Sequence, residues 1–312
     1  MSDLPTLPRP IMASFLESIE IERNVSRLTV RNYSHYLRRF IDWFESQGYH
    51  DMQELNLDVL RRYRVFLARY SDDQGRTLSK KTQSYHVISL RSWLKWMVKN
   101  DLPVLHPEKV ELPKGESTPM RFATADKIER LLSQPVVGTP AGLRDRAILE
   151  VLFSTGLRVS ELVGLNRDQI DIERGEFGVI GKGRRPRVVF LSERAKSWLA
   201  RWMNSRDDYW RPVFVRFAGK KIDILSDGED MRLTARSVQR LVDTYCRKAR
   251  LPVKLSPHGI RHSFATDLLI NGAGLRDVQE MLGHKNIATT QIYTHVTRQQ
   301  LKKVYDEHHS KL

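Results

Sequence analysis

The stretch LSPHGIRHSFATDLLINGAGLRDVQEMLGHKNIATTQIYTHV (residues 255–296) combines helical apolar positions with polar side chains that a hydrophobic core does not require. Ser256 is a suitable helix cap and Pro257 suits the first helical position, so we predict that a helix begins here. His258 then lies in the first turn, where free backbone N–H groups and the helix dipole favour an anion. Arg261 follows three residues later and shares its face. The first half of the stretch is therefore typical of an anion site.

The second half predicts a shorter helix followed by two further polar groups. Val278 and Leu282 are apolar positions of this helix, and Gly283 ends it immediately before His284. Tyr293 comes nine residues after His284, in a segment rich in threonine and glutamine. The whole stretch therefore predicts a phosphate-binding site with a phenol beside it.

A second candidate pair lies upstream in the segment TGLRVSEL (residues 155–162). Arg158 and Glu161 are three residues apart, which places them on one helix face. A planar guanidinium can bind two phosphate oxygens at once, and a carboxylate behind it can hold it in that pose. From the residues alone, an ordinary intrahelical ion pair is the simpler explanation, and the choice between the two stays open at this point.

Two short apolar runs, residues 177–180 and 188–191, flank the segment GKGRRPR (residues 181–187) and predict a β-hairpin with a basic tip. The Gly-Lys pair in this segment does not belong to a phosphate-binding P-loop. No glycine precedes Gly181 by five positions, and Lys182 is followed by glycine rather than serine or threonine. We therefore exclude a P-loop nucleoside triphosphatase.

The first hundred residues carry four helical apolar stripes and many cations. Thr29 is the predicted cap of the second helix, and the fourth helix is predicted to begin near Ser79. The aromatic residues of this region are predicted to form its core. Lys80, Lys81 and Arg91 are predicted to contact DNA phosphates, which anchor a protein without reading sequence. A solvated helix face is the alternative for any one of these cations.

The composition changes sharply between these helices and the rest of the chain. Residues 100–119 contain four prolines, a Gly-Glu-Ser and no apolar period, which is typical of a linker. We predict an N-terminal helical domain at residues 1–105, a linker at 106–120 and a second domain at 121–312. The predicted fold class is mainly α with a small β-hairpin.

The net charge indicates which kind of molecule the protein binds. The chain has 52 lysines and arginines against 37 acidic residues, a formal charge of +15, which favours a polyanionic partner, most often nucleic acid and less often an acidic membrane. A merely basic surface is the alternative. Cys246 is the only cysteine, which excludes an intrachain disulfide and a cysteine-based zinc site. No apolar run approaches the roughly 20 residues that span a bilayer, and the N-terminus lacks an apolar signal-peptide core. We expect a cytoplasmic protein with no membrane partner.

Two histidines are candidate metal ligands. His258 and His262 have the spacing that zinc proteases use, but residue 259 is glycine and no glutamate lies between them to act as a base. The sequence also lacks the clustered carboxylates of a two-metal nuclease. We therefore expect no metal and no cofactor, and predict that arginines stabilise the charge of the reacting group. His262 is predicted to be structural.

Three motifs closely resemble the tyrosine recombinase (phage integrase) family, with a spacing nearest to its Xer-type members: HGIRH (residues 258–262), LGH (282–284) and YTH (293–295). Residues 155–162 resemble the first-arginine motif of that family. The resemblance covers nearly the whole chain, with dense motifs from about Arg158 onward. It implies an N-terminal SAM-like core-binding domain that clamps DNA and a C-terminal catalytic domain.

The resemblance also implies a role for each site residue. Tyr293 is the implied nucleophile on a DNA phosphodiester. The other implied roles are binding of the non-bridging oxygens by Arg158, Arg261 and His284, proton transfer by His258, protonation of the leaving 5′ oxygen by Lys182, and orientation of an arginine by Glu161. Contacts to the DNA backbone are expected from Arg184, Arg185 and Arg187 in the hairpin, in addition to Lys80, Lys81 and Arg91.

The implied reaction passes through a 3′-phosphotyrosyl bond, which conserves the energy of the phosphodiester, so that rejoining needs no ATP. We expect a site-specific recombinase that resolves chromosome dimers at a dif-like site. The expected partners are double-stranded DNA, further recombinase subunits in a homo- or hetero-tetramer on two DNA sites, and a DNA translocase as activator, all on the nucleoid. The alternatives are a mobile-element integrase, a type IB-like DNA-relaxing topoisomerase and a catalytically silent DNA-binding protein.

Overall fold

The computed structural model describes residues 7–113, 122–181, 186–217 and 226–283 of the chain. The chain divides into two compact units, Met1–Ser117 and Thr118–Leu312. Both units are helical, and the second also contains a β-hairpin. The predicted class, mainly α with a small hairpin and two domains, is confirmed.

Four α-helices make up most of the described N-terminal unit: α1 (Pro8–Ile21), α2 (Arg27–Ser46), α3 (Leu57–Arg69) and α4 (Lys80–Lys99). The predicted start of α4 is confirmed, because the Ser79 side chain accepts a hydrogen bond from the backbone N–H of Thr82 at 3.1 Å. The predicted cap of α2 is wrong. Ser26 caps this helix and accepts from the N–H of Thr29 at 3.3 Å, so Thr29 lies in the first turn.

The core of the N-terminal unit is aromatic. Phe40 of α2 lies edge-to-face against Tyr63 of α3, with ring centroids 5.0 Å apart, and against Trp93 of α4, at 6.4 Å. All three side chains are at most 1% exposed. Such pairs add about 1 kcal/mol each to the gain from burial. The prediction that aromatic residues form the core of this region is confirmed for these rings.

The first part of the predicted linker packs on the N-terminal unit. Pro107–Lys109 forms a 3₁₀ turn, and Pro107 and Val110 are buried, with Val110 belonging to the same hydrophobic cluster as Phe40. Arg64 of α3 donates to the carbonyl of Glu111. A proline-rich composition predicts an extended backbone but does not reveal whether an intervening apolar side chain packs. Residues 106–111 therefore extend the N-terminal unit beyond its predicted end at 105.

His86 of α4 is an ionisable side chain inside this core, and it is 1% exposed. Its Nε2 atom accepts from Arg39 Nη1 at 3.3 Å, and its Nδ1 atom lies 3.3 Å from the carbonyl of Tyr36. These partners fit the neutral tautomer that carries its proton on Nδ1. Burial of the ring and then the positive charge of Arg39 lower the pKa of His86 to about 4.

His86 should make the stability of the protein sensitive to mild acid. Because histidine titrates near pH 6.5 in an unfolded chain, the unfolded state binds the extra proton first, and stability falls by about 2 kcal/mol as the pH drops from 7 to 5. Urea unfolding at both pH values measures this loss. In His86→Asn the difference in the free energy of unfolding between pH 7 and pH 5 should be smaller by about 2 kcal/mol. The exposed His50→Asn variant is the control. An unchanged difference in His86→Asn would contradict the assignment.

The described C-terminal unit contains a hairpin and further helices. The hairpin is antiparallel, with Phe177 opposite Val189 and Val179 opposite Arg187. The predicted hairpin is confirmed, but its second strand begins at Pro186, inside the segment that was predicted to form the tip. The elements are α5 (Ala125–Leu132), α6 (Pro140–Thr155), α7 (Val159–Val163), β1 (Glu176–Ile180), β2 (Pro186–Phe190), α8 (Glu193–Asn204), α9 (Ala235–Lys248), α10 (Pro257–Ile270) and α11 (Leu275–Leu282).

Helix α6 lies at the centre of this unit, and α8 and α10 pack against it. Its residues 147–149, 151 and 152 are fully buried on successive sides of the helix. The carboxylate of Glu150 on α6 is buried and binds two cations, Arg146 at 2.7 Å and Arg194 at 2.9 Å. Because α6 is enclosed, its end at Thr155 gives a fixed position to the chain that follows. None of the described helices combines the length and apolar character that crossing a bilayer requires.

Candidate active site

The turn after α6 directs Arg158 and Glu161 into one pocket. Gly156 ends α6 with φ +59°, and a Cβ atom there would lie 2.4 Å from Cδ1 of Phe264, so both the backbone and the neighbouring ring require glycine. Arg158 then precedes α7, and the Glu161 carboxylate accepts from the backbone N–H of Arg158 at 2.8 Å. The carboxylate thus caps α7 and faces the arginine side chain at the same time.

Helix α10 supplies Arg261 from the opposite side. The predicted start of α10 is confirmed, because Ser256 accepts from the N–H of Gly259 at 3.2 Å and Pro257 is the first helical residue. The Arg261 side chain is only 2% exposed. Its Nη1 atom donates to the carbonyl of Gly156 at 2.6 Å. The glycine turn and the second arginine are therefore joined directly.

Glu161 is the acidic side chain of this pocket in the described part of the chain, and it faces three guanidinium groups. Its Oε1 atom accepts from Arg158 Nη1 at 2.8 Å. Arg187 binds both oxygens, with Nη1 3.0 Å from Oε1 and Nη2 2.7 Å from Oε2. Nη1 of Arg261 lies 4.0 Å from Oε2. Burial alone would raise the pKa of Glu161, but the hydrogen bonds from Arg187 and from the Arg158 backbone lower it to about 2. The carboxylate is therefore ionised at every ordinary pH.

The position of Arg187 differs from the sequence prediction. It was expected to contact the DNA backbone, yet its side chain is 9% exposed and forms a two-pronged ion pair with Glu161. The alternation of β2 explains this placement: Val189 on the same face is buried, and Arg187 pairs with Val179, which is also buried. An inward position on a strand of known alternation is the signal that could have identified Arg187 as a pocket residue.

The C-terminal end of α11 contacts all three arginines. Arg187 Nε donates to the carbonyl of Met281 at 3.0 Å, Arg261 donates to that of Leu282, and Arg158 Nη2 donates to that of Gly283 at 3.4 Å. These carbonyls lack partners within the helix, and the negative end of the helix dipole favours cations. Gly283, at φ +63°, ends the helix as predicted. Three successive carbonyls thus hold three guanidinium groups side by side.

His258 lies in the first turn of α10, beside this cluster. Its Nε2 atom is 2.8 Å from Nε2 of His262, so the two rings share one proton across this contact. Burial of the ring, then the positive charges of Arg261 and Arg158, lower the pKa of His258. A neutral His258 at neutral pH can accept a proton from a neighbouring group. His262 was predicted to be structural only, and the contact with His258 is an additional feature that the sequence did not reveal.

No group of three or more histidine, cysteine, aspartate or glutamate side chains in the described part of the chain is arranged to hold a metal ion. The His258–His262 contact is a hydrogen bond between two rings. The positive charge of the described pocket comes from the arginines, with three guanidinium groups facing a single carboxylate. Such a pocket suits a phosphate group, because guanidinium forks match its oxygens.

Several predicted site residues lie outside the described residues: Lys182, Arg184, Arg185, His284 and Tyr293. The structure brings together Arg158, Glu161, His258 and Arg261, which are separated by about a hundred residues in sequence and come from α7, α10 and the turn before α7. In the N-terminal unit, Lys80 and Lys81 are exposed on α4, while Arg91 is half-buried.

Comparison with known proteins gives two family matches. Residues 121–300, more than half of the chain, match the phage integrase family. Residues 12–101 match the N-terminal SAM-like domain of phage integrases. The two matches fall on the two helical units that the structure separates.

Curated relatives match over nearly the full length. The tyrosine recombinase XerC of Bacillus subtilis (strain 168) is 34% identical over 297 residues, which cover 95% of this chain and 94% of that protein. The tyrosine recombinase XerD of Listeria monocytogenes serotype 4b (strain F2365) is 33% identical over 302 residues, which cover 96% of this chain and 98% of that protein. The crystal structure of the XerH site-specific recombinase bound to a palindromic difH substrate shares the fold, with a TM-score of 0.66 and 21% identity over 94% of this chain and 82% of that chain. The chain therefore belongs to the phage integrase family of tyrosine recombinases and is a DNA strand-exchange enzyme.

Proposed function

We propose that this recombinase resolves chromosome dimers by site-specific recombination at a dif-like site. The single observation that carries the chemistry is the pocket in which Arg158 and Arg261 face Glu161 beside His258. Full-length similarity to XerC and XerD proteins, at 34% and 33% identity, supports an Xer-type reaction. The XerH structure with difH supports the choice of a dif-like target for a protein of this fold.

The arginine pocket fits the charge that develops at phosphorus during strand cleavage. When an oxygen nucleophile adds to a phosphodiester, negative charge increases on the two non-bridging oxygens, and preorganised guanidinium groups stabilise it. Arg158 and Arg261 supply these groups, and Glu161 orients Arg158 through the 2.8 Å contact with its Nη1 atom. Arg158, whose side chain is 28% exposed, is open to an incoming DNA strand, whereas Arg261 is buried. We assign His284 to the same oxygens.

Tyr293 is the proposed nucleophile, and the proton steps are divided between two other groups. The neutral His258 receives the phenolic proton, consistent with its lowered pKa. Lys182 donates a proton to the leaving 5′ oxygen. The bond between phosphorus and the 5′ oxygen breaks as the phosphotyrosyl bond forms, so the number of phosphoester bonds is unchanged. Attack of a second strand's 5′ hydroxyl then reverses these steps on a new partner.

Duplex DNA is held by positive charge outside the pocket. Lys80, Lys81 and Arg91 on α4, together with Arg184 and Arg185, are the proposed contacts to the phosphate backbone, in keeping with the net charge of +15. Exchange between two duplexes requires four active sites, so we propose a homo- or hetero-tetramer on two DNA sites. A DNA translocase is the proposed activator, and the cytoplasmic nucleoid is the proposed location.

Mapping the DNA that becomes covalently attached to the protein in its own cells tests this proposal. Cells are lysed with denaturant, the protein is purified with its attached DNA, and the DNA is sequenced. A single chromosomal locus is the expected result. Attachment at the ends of a mobile element would support the integrase alternative, and attachment scattered along the chromosome would support the topoisomerase alternative.

A plasmid carrying two copies of the mapped site then separates exchange from relaxation. The protein should convert directly repeated sites into two smaller circles. Relaxation of supercoils without any recombinant circle would defeat the recombinase assignment, because a single-duplex topoisomerase shares the same chemistry.

A further inference from the structure

We propose that Arg187 is a positioning residue for strand cleavage, which holds Glu161 and the end of α11 in the pose that aligns the two phosphate-binding arginines. The inference rests on the proposed function. It assigns to β2 a part in the reaction that no motif in the sequence predicts. Arg187 itself does not touch the DNA.

The first support is the geometry of the ion pair. Arg187, not Arg158, makes the two-pronged contact with Glu161, at 3.0 and 2.7 Å. Arg158 binds the same carboxylate through its Nη1 atom and its backbone N–H, each at 2.8 Å. The two parallel hydrogen bonds from one planar guanidinium fix the plane of the carboxylate. The orientation of Glu161 is therefore set jointly from the turn before α7 and from β2.

The second support is the contact between Arg187 and α11. Nε of Arg187 donates to the Met281 carbonyl at 3.0 Å. A Cβ atom at Gly283 would lie 3.2 Å from Cδ of Arg187, so the side chain packs closely on the last turn of α11. The next two carbonyls, of Leu282 and Gly283, accept from Arg261 and Arg158. Arg187 thus fixes the same backbone on which the two phosphate-binding arginines rest.

The third support is the burial and charge of the pocket. Glu161 occupies both Nη atoms of Arg187, and the Met281 carbonyl accepts from its Nε atom, so all three guanidinium nitrogens are already bound within the protein. Arg187 also supplies a positive charge that offsets Glu161. Without it, the carboxylate would draw Arg158 and Arg261 toward itself, because these two would be its remaining cationic partners among the described residues. Their guanidinium groups would then be less available to the substrate.

The test compares Arg187→Gln with the wild-type protein on a nicked duplex that carries the mapped site and traps the phosphotyrosyl product. The single-turnover rate of adduct formation should fall by about 10²-fold, the size expected when reacting groups are misplaced by about 1 Å. DNA affinity should change less than about threefold, and the slope of log affinity against log salt should stay the same, because no phosphate contact is lost. Arg174→Gln, which removes an exposed arginine paired with Asp171, is the matched control.

Two further variants separate positioning from general destabilisation. Arg187→Lys keeps the charge but not the fork, so its cleavage rate should lie between those of wild type and Arg187→Gln. Combining Glu161→Gln with Arg187→Gln should slow cleavage by less than the product of the two single losses, because Arg187 acts in large part through this carboxylate. Losses that multiply in the double variant would contradict this.

The pH profile gives a readout that a merely structural role would not change. The charged groups that face Glu161 are Arg158 beside α7, Arg187 on β2 and Arg261 on α10. Removing Arg187 takes away the largest of the influences that lower the Glu161 pKa. The ratio of variant to wild-type rate should therefore decrease further as the pH falls from 7 to 5. Taking the ratio cancels the titration of His258, which both proteins share.

The outcomes are distinguishable. If wild type and Arg174→Gln form no adduct, the proposed function fails and the inference fails with it. If they do, and Arg187→Gln cleaves at the same rate, only the inference fails. A salt slope reduced by about 1 in Arg187→Gln would show instead that Arg187 is a phosphate contact, as the sequence first suggested.

Discussion

Tyr293→Phe is expected to abolish covalent capture of DNA while leaving DNA binding intact. The substitution removes only the phenolic oxygen, which is the proposed attacking atom. Loss of a nucleophile typically lowers the rate by at least about 10³-fold, so no adduct should form within the time that the wild-type protein needs for completion. The charge of the protein is unchanged, so affinity for the duplex should be unchanged as well.

Capture on a nicked duplex, read as a band of increased mass on a denaturing gel, measures this effect. Tyr209→Phe is the matched control, because Tyr209 is 95% exposed and removal of its hydroxyl should leave capture at the wild-type level. An adduct of normal yield in Tyr293→Phe would mean that another residue is the nucleophile. Binding without capture in both wild type and Tyr293→Phe would favour the catalytically silent DNA-binding alternative.

Arg261→Ala is expected to have the second largest effect, and the structure adds a component that the sequence did not predict. Removing a preorganised cation from the reacting phosphate should slow cleavage by about 10² to 10³-fold. The same side chain also holds the carbonyls of Gly156 and Leu282 and is 2% exposed. Its loss leaves these buried acceptors without their donor, so we expect the free energy of unfolding to fall by about 3 kcal/mol.

Arg261→Lys separates the two effects. A lysine keeps a positive charge but cannot reach two carbonyls and a phosphate in one plane, so the fold should be largely retained while cleavage stays severely reduced. Arg130→Ala is the control for stability alone, because Arg130 donates to the carbonyl of Ala249 at 2.7 Å in the same unit, away from the pocket. It should lower stability and leave the cleavage rate of the folded protein unchanged. A proportionate loss of binding and cleavage in Arg261→Lys would mean that Arg261 only anchors DNA.

Local chemistry made the helix starts predictable where a single capping side chain was available. Ser256 stands alone before its apolar stripe and caps the helix that was expected. Ser79 also caps the expected helix, although Thr82 follows it by three residues. Ser26 and Thr29 are three residues apart, and either hydroxyl can cap a helix, so spacing alone could not decide between them. The spacing of Arg158 and Glu161 likewise predicted their contact, which lies within one helical turn.

Contacts between distant elements were beyond the reach of the sequence. The carbonyls of Gly156, Met281, Leu282 and Gly283 carry no side-chain signature, so their role as partners of the arginines has no counterpart in any motif. The inward position of Arg187 on β2 was not predicted, for a related reason. It belongs to a run of basic residues, and only the register of the hairpin, with Arg187 opposite Val179, distinguishes it from the others. Motif spacing identifies groups that act together within an element, whereas strand register and helix packing decide which distant groups join them.

The Gly283 carbonyl that Arg158 holds at 3.4 Å, the longest of the three contacts at the end of α11, has a thermodynamic consequence. Under the proposed chemistry, a DNA phosphate and this carbonyl compete for the same guanidinium nitrogen. Thermodynamic linkage makes such competition reciprocal. DNA binding weakens the contact between Arg158 and the Gly283 carbonyl, and this contact weakens DNA binding by the same free energy. Because His284 is the next residue in the chain, occupancy of the pocket by a phosphate and the hold of Arg158 on the residue before His284 are two sides of one free-energy balance.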